Sequence, residues 1–306
     1  MSRRRVLAVA AAAVAVLATL GIGVACAGRN RAPAPSAGPT VGSASTTGPG
    51  GTVPSSPGAA PPSPAAGSPR SPGGPATAGR TASPDGTPSS RVPGVPARLA
   101  GQDVERIPTA QPVVALTFDA GANADGLPSI LATLAREHVP ATFFLTGDFA
   151  SRYPSAIRSI VAAGHRLGNH SATHPAFTSL SDAAIRDQLS RARTAIMAAG
   201  GTDPRPLFRF PLGDRDRRTI ATVNAAGYVA VRWTVDSLGW EGTGSISAAG
   251  VVSRVVGAAG PGEIVLMHVG SNPDDRSTLD ADALPQVVAR LRASGYRFAT
   301  LDALLG

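Results

Sequence analysis

The chain has 306 residues, a formal net charge of +8, no lysine and one cysteine, Cys26. Residues 1–96 carry eight arginines against one acid, Asp85, while residues 97–306 carry twenty arginines against nineteen acids. The positive excess therefore lies outside the part whose composition can fold, which argues against a nucleic-acid surface. A lone cysteine excludes an internal disulfide or a thiolate site in the folded part.

Arg3-Arg4-Arg5 followed by apolar and small residues from Val6 to Ala27 reads as an export signal, residues 1–27. Its end has three readings: lipidation of Cys26 after Gly23-Val24-Ala25, cleavage at Ala25-Cys26-Ala27, or retention of the run as a membrane anchor. Residues 28–96 are rich in Pro, Ser, Gly and Ala with few large apolar side chains. Such a stretch buries too little surface to offset its ordering entropy, so it is expected to be a disordered linker that carries the domain into the cell envelope. The remaining residues, 97–306, are enough for one α/β domain.

Within that domain, short apolar runs alternate with helical periodicity. Strands are expected at 113–118, 141–145, up to 169, 207–210, 228–235, 264–268 and 297–300. Helices are expected at 127–137, 149–163, 182–199, 217–226, 248–259 and 283–294. Strand–helix alternation implies a parallel sheet covered by helices, open or closed into a barrel. In such folds chemistry gathers at the C-terminal strand ends, and there the sequence places Asp119, His170 with His174, Arg209, Asp236 and His268.

His170-Ser171-Ala172-Thr173-His174 sets two imidazoles four apart, a spacing that brings both to one cation, though alone it also fits two solvated histidines. Asp119 is placed to deprotonate a water, or alternatively to cap a turn. Arg209, between Phe208 and Phe210, suits a bidentate hold on Asp119. Asp236 paired with His268 would keep that imidazole protonated for donation to a leaving amine. His138 and His165 read as structural.

Taken in order, Thr117-Phe118-Asp119-Ala120-Gly121, the His170–His174 segment, Arg209-Phe210-Pro211-Leu212-Gly213, Asp236-Ser237-Leu238-Gly239-Trp240 and Leu266-Met267-His268 resemble the five motifs of the polysaccharide deacetylase family (NodB homology, carbohydrate esterase 4). The resemblance spans 112–304. It implies a single distorted (β/α) barrel that hydrolyses the acetamide of N-acetylglucosamine or N-acetylmuramic acid units. By that resemblance Asp119 is the general base, His170 and His174 are metal ligands, Arg209 orients Asp119, and Asp236 tunes His268, the general acid. Trp240 and Leu266 line the pocket for the acetate methyl. One departure stands out: the family's third metal ligand follows the base, where this chain has Ala120. Asp125 or Asn123 in the following turn would have to replace it, or water would.

The reaction expected is metal-assisted hydrolysis, with zinc first and cobalt, nickel or manganese as substitutes, and with a backbone N–H near Pro211–Gly213 stabilising the oxyanion. The expected substrate is a cell-wall glycan, peptidoglycan before chitin oligomers, acted on by a monomer outside the cytoplasm. Two other readings stay open: a glycan-binding pseudoenzyme, prompted by Ala120, and an esterase acting on acetylated xylan.

Overall fold

The computed structural model describes residues 94–200 and 202–306; the export signal and almost all of the linker fall outside them. Nine strands form one curled parallel sheet: β1 (Asp103–Val104), β2 (Val113–Ala120), β3 (Thr142–Leu145), β4 (Arg166–Asn169), β5 (Leu207–Phe208), β6 (Val229–Val231), β7 (Val235–Asp236), β8 (Glu263–His268) and β9 (Arg297–Phe298). Seven helices intervene: α1 (Leu127–Arg136), α2 (Gly147–Arg152), α3 (Pro154–Ala162), α4 (Asp182–Gly200), α5 (Arg217–Ala225), α6 (Ala248–Gly257) and α7 (Leu279–Ala293). The strand order is β1-β6-β5-β4-β3-β2-β8-β7, with β9 added to β2.

The sheet curls into a distorted barrel closed by a short strap. β1 pairs with β6, and two residues later Arg106 bridges to Glu263 at the start of β8. Ile107 N–H then donates to Gly262 O at 2.8 Å. The parallel edges are thus joined without a long strand, and Leu99, Val104 and Ile107 are buried beneath the barrel.

Period-two alternation decides what faces the interior. On β2, Val114, Leu116, Phe118 and Ala120 pack outward beneath the helices, in one core with Phe143 and Leu145 of β3 and Val265 and Met267 of β8. The intervening positions, Ala115 on β2, Phe144 on β3 and Ile264 on β8, fill the barrel with Leu207, Val229 and Val231. Asp119 and His268 continue this inward series at the C-terminal ends of β2 and β8, where they sit opposite each other in register. Gly168 on β4 makes room for the plug: a Cβ there would lie 2.5 Å from the Phe144 ring.

Four elements differ from the sequence expectation. The expected helix 149–163 is two helices, because Pro154 starts a new one after Tyr153. The expected strand 228–235 is interrupted at residues 232–234, where the chain leaves β5 for β8. The last helix begins at Leu279, a full turn before 283, and continues through Pro285. Two-residue β1 carries no alternation to read. Among the described residues, no helix is long and apolar enough to cross a membrane.

Candidate active site

A cleft of about 650 Å³ opens at the C-terminal ends of the strands. Asp119, His170, His174, Asp236, His268, Trp240, Leu266 and Gly213 all line it. Side chains spread over 150 positions therefore meet in one pocket, as the sequence required.

Asp119 is 7 % exposed. Its Oδ1 accepts from Arg209 Nη1 at 2.8 Å, and its Oδ2 lies 3.4 Å from His170 Nε2. The pair is monodentate rather than bidentate, because the rest of the guanidinium is committed elsewhere. Arg209 Nη2 donates to Arg232 O at 3.0 Å and Nε to Val231 O at 3.4 Å, so the arginine uses the carbonyls freed where β6 ends. Its guanidinium carbon lies 4.2 Å from the Phe144 ring centroid, within cation–π range. Burial alone would raise the Asp119 carboxyl. Together the charges of Arg209, His170 and His268 and the Arg209 hydrogen bond outweigh that largest single influence and hold the group below the usual carboxylate range. Asp119 is thus an ionised, immobilised acceptor.

His170 Nδ1 donates to Arg209 O at 2.9 Å, which assigns the remaining lone pair to Nε2 on the Asp119 side. Burial pushes its pKa down to about 4, against the opposing pull of Asp119, so the ring is neutral at pH 7. His174 packs edge-on against it, centroids 4.8 Å apart, and burial lowers its pKa too. The two histidines are carried on a tight turn rather than a helix, with Ser171 at φ 71° and His174 at φ 60°. Asn169 Oδ1 accepts from Ser171 N–H, and Gln188 Oε1 accepts from the N–H groups of Ala172 and Thr173, which holds this left-handed backbone.

Two neutral imidazoles are the donor type a zinc-like cation takes. Among the described residues, no third protein ligand joins them. Ala120 is buried under the helices. Asp125 does not replace it: it lies outside the cleft, and its Oδ2 accepts from Ser271 Oγ at 2.7 Å and Arg276 Nη2 at 2.8 Å. Asn123 is likewise engaged, its Oδ1 accepting from Ser271 N–H and Asp125 N–H. Among the described residues, no cluster of three or more His, Cys, Asp or Glu is arranged to hold an ion. His170 and His174 are therefore the residues whose chemistry would suit a cation.

His268 differs from the sequence expectation in its partner. Asp236 is not beside it: Asp236 Oδ1 accepts from Leu238 N–H at 2.9 Å and Oδ2 from Trp240 Nε1 at 3.4 Å, so this carboxylate shapes the turn that presents Trp240. The carboxylate next to His268 is Asp280, which no motif signalled. Its Oδ2 accepts the His268 backbone N–H at 2.7 Å and lies 3.6 Å from Nδ1. Burial lowers the His268 pKa, but Asp280 first, then Asp119 and Asp236 from further away, raise it above the ordinary histidine value.

Leu266 and Trp240 flank His268, and Trp240, half exposed, stands 6.4 Å from its ring. Pro211 is buried in the turn Pro211–Gly213, whose Leu212 (φ 59°) projects into solvent at the cleft mouth. Sequence reading missed Asp148 and Arg152, both on α2 and both lining the cleft. Neither belongs to a strand end, so the rule that found the others passes over them.

A parallel barrel that gathers a buried Asp–Arg pair and three histidines into one cleft at its strand ends has the arrangement of a hydrolase site. The polysaccharide deacetylase family profile matches residues 106–231. A peptidoglycan-N-acetylglucosamine deacetylase of Bacillus cereus is 31 % identical over 191 residues, 62 % of this chain and 67 % of that one. A chitooligosaccharide deacetylase of Sinorhizobium fredii is 38 % identical over 188 residues, covering 61 % of this chain and 86 % of that one. Among solved structures, a family 4 carbohydrate esterase of Streptomyces lividans in complex with acetate superposes with a TM-score of 0.55 at 31 % identity, covering 65 % and 97 % of the two chains. A family 4 pseudoenzyme of Bacillus anthracis also superposes, with a TM-score of 0.58 at 31 % identity, covering 64 % of this chain and 66 % of that one. The chain belongs to the polysaccharide deacetylase family, carbohydrate esterase family 4; the curated relatives named above are deacetylases, hydrolases acting on N-acetyl groups.

Proposed function

We propose that this chain hydrolyses the acetamide of an N-acetylated glycan, with peptidoglycan as substrate, and releases acetate. The observation that carries the reading is that Asp119 and His268, in register on the neighbouring strands β2 and β8, line one cleft, with Asp119 hydrogen-bonded to Arg209 and its carboxyl held low, and with His268 raised above the ordinary histidine value by the carboxylates around it.

Asp119, fixed by Arg209, accepts the proton of a water positioned between it and the acetyl carbon. The oxyanion that forms is met by a backbone N–H of the turn Pro211–Gly213. There Gly213 N–H is spent on Phe210 O and Asp214 N–H on Pro211 O, which leaves Leu212 as the donor. His268 then gives its proton to the departing sugar nitrogen, and acetate leaves beside Leu266 and Trp240. A divalent cation held by His170 and His174 would supply Lewis-acid polarisation of the carbonyl and its water. The sugar ring rests on the exposed faces of Trp240 and Leu212, which suit a carbohydrate's apolar side.

The peptidoglycan assignment draws on the Bacillus cereus relative and on the export signal and linker read from residues 1–96, which would set the domain outside the cytoplasm. The test is acetate release by the full chain from peptidoglycan fragments, chitin oligomers and acetylated xylan, each with and without chelator. Asp119→Asn and His268→Ala are each expected to lower acetate release at least about 100-fold. Near-parental rates in either variant remove the acid–base assignment. No release from any substrate by the parent, with zinc supplied, makes the domain a glycan-binding pseudoenzyme. Release from acetylated xylan alone makes it an esterase.

A further inference from the structure

His268 sits at the end of β8, and the titratable groups around it are Asp119 on β2, His174 in the turn after β4, Asp236 in the turn after β7 and Asp280 on α7. Among the described residues, Asp280 is the carboxylate within 4 Å of its ring nitrogens. We infer that Asp280, projecting from the first turn of α7 into the space left by the missing side chain of Gly239, is the residue that positions and holds His268 for proton donation. The inference rests on the assignment of His268 as the general acid but names a residue outside all five motifs.

Three observations carry it. Asp280 is 3 % exposed, and a buried carboxylate persists only with compensating partners. Its Oδ2 makes one firm hydrogen bond, to the His268 backbone N–H at 2.7 Å, which locks the carboxylate to the residue it serves. Two polar atoms of the pair, Asp280 Oδ1 and His268 Nδ1, are buried without a hydrogen-bond partner, and the carboxylate's Oδ2 is its nearest oxygen to Nδ1, 3.6 Å away. A proton on Nδ1 would face this carboxylate, Oδ2 being its nearest oxygen, which leaves the second ring nitrogen, Nε2, for the cleft where a leaving nitrogen needs it.

Gly239 is the other half of the arrangement. A Cβ at this position would overlap Asp280 Oδ1 and lie 2.6 Å from its Cγ. Gly239 has an ordinary backbone conformation, so the glycine is required by the approach of Asp280 rather than by the turn. Asp236, four residues before Trp240, is occupied by the Leu238 amide and the indole and so is not available for the role. The two positions therefore act together: the carboxylate on the helix needs the gap in the loop.

The experiment is imidazole NMR of the full chain, titrating its five histidines with His268 assigned by substitution, together with the pH profile of kcat for acetate release. Removing an adjacent carboxylate charge lowers an imidazole pKa by about one unit or more. Asp280→Asn is therefore expected to lower the His268 titration by about that amount and to pull in the alkaline limb of kcat, with KM within about twofold of the parent. Gly239→Ala, which only displaces the carboxylate, should lower the titration in the same direction and serves if Asp280→Asn fails to fold. Gly239→Asp combined with Asp280→Ala returns a carboxylate from the loop side and should raise the titration again. An unmoved His268 titration in a folded Asp280→Asn or Gly239→Ala variant overturns the inference. The titration needs no substrate, so a shifted His268 in a parent that releases no acetate would leave the pairing standing and sink the deacetylase reading instead.

Discussion

Arg209→Met isolates the physics of the buried pair. The arginine is fully buried and makes three hydrogen bonds, one to Asp119 and two to the carbonyls of residues 231 and 232. Methionine fills most of the volume over Phe144 but leaves Asp119 charged and uncompensated, along with two carbonyls without donors. Breaking a buried pair from one side costs about 3–5 kcal/mol, and in a domain of this size each kcal/mol lowers Tm by roughly 2–4 °C. The expected fall is therefore about 6–20 °C by calorimetry at pH 7. Part of it should disappear on acidification. Without Arg209, burial raises the folded-state pKa of Asp119 above its unfolded value, so the penalty is full above the raised pKa and fades as pH falls toward the unfolded one. Asp119→Asn with Arg209→Met removes the orphan charge and should be the more stable of the two variants at pH 7. A loss under about 1 kcal/mol for Arg209→Met, or a double variant less stable than the single one, would refute the claim that Asp119 is held ionised by this contact.

Gly168→Ala should force Phe144 off its place beneath Arg209, costing about 1–3 kcal/mol by urea denaturation and lowering kcat with it; an unchanged midpoint would mean the barrel interior has slack. Glu263, fully buried with no hydrogen-bond partner for either oxygen, is pushed up to about 7 by burial, against the opposing charge of Arg106. A carboxyl raised this far weakens the fold as pH climbs through its folded pKa, so Glu263→Gln should stabilise by up to about 3 kcal/mol at pH 8 and by little at pH 5. A gain independent of pH would contradict that origin. His174→Ala should weaken zinc binding by at least about 10-fold, measured by competition with a chromophoric chelator, and equal affinity in parent and variant would remove His174 from the cation's shell.

The alternation of apolar runs gave the parallel architecture, and the polar residues at the strand ends gave the cleft. Both are local signals: a buried strand must be apolar along its length, and the first polar residue after it marks where the barrel opens. Asp119, His170, His174, Arg209 and His268 were legible for that reason. Asp280 was not. Pro285 suits the first turn of a helix, so periodicity starts α7 at 283 and leaves Asp280 in a loop, whereas the observed helix runs through the proline from Leu279 and brings Asp280 to β8. Asp236 was given the wrong partner because order along the chain carries no information on which of two carboxylates a ring faces. Asp125 was chosen for its nearness in sequence to Ala120, and the turn directs it to Arg276 instead.

The strap from Asp103 to Ile107 has a practical consequence. Val104 O accepts from Arg232 N–H, and Ile107 N–H donates to Gly262 O, so five residues supply main-chain partners to strands on both sides of the seam. A fragment cut at 106, where the family match begins, would strip β6 of its neighbour and uncover the apolar floor beneath it. Bare strand margins invite pairing with other chains, so a soluble, monodisperse preparation calls for a starting point upstream of Leu99.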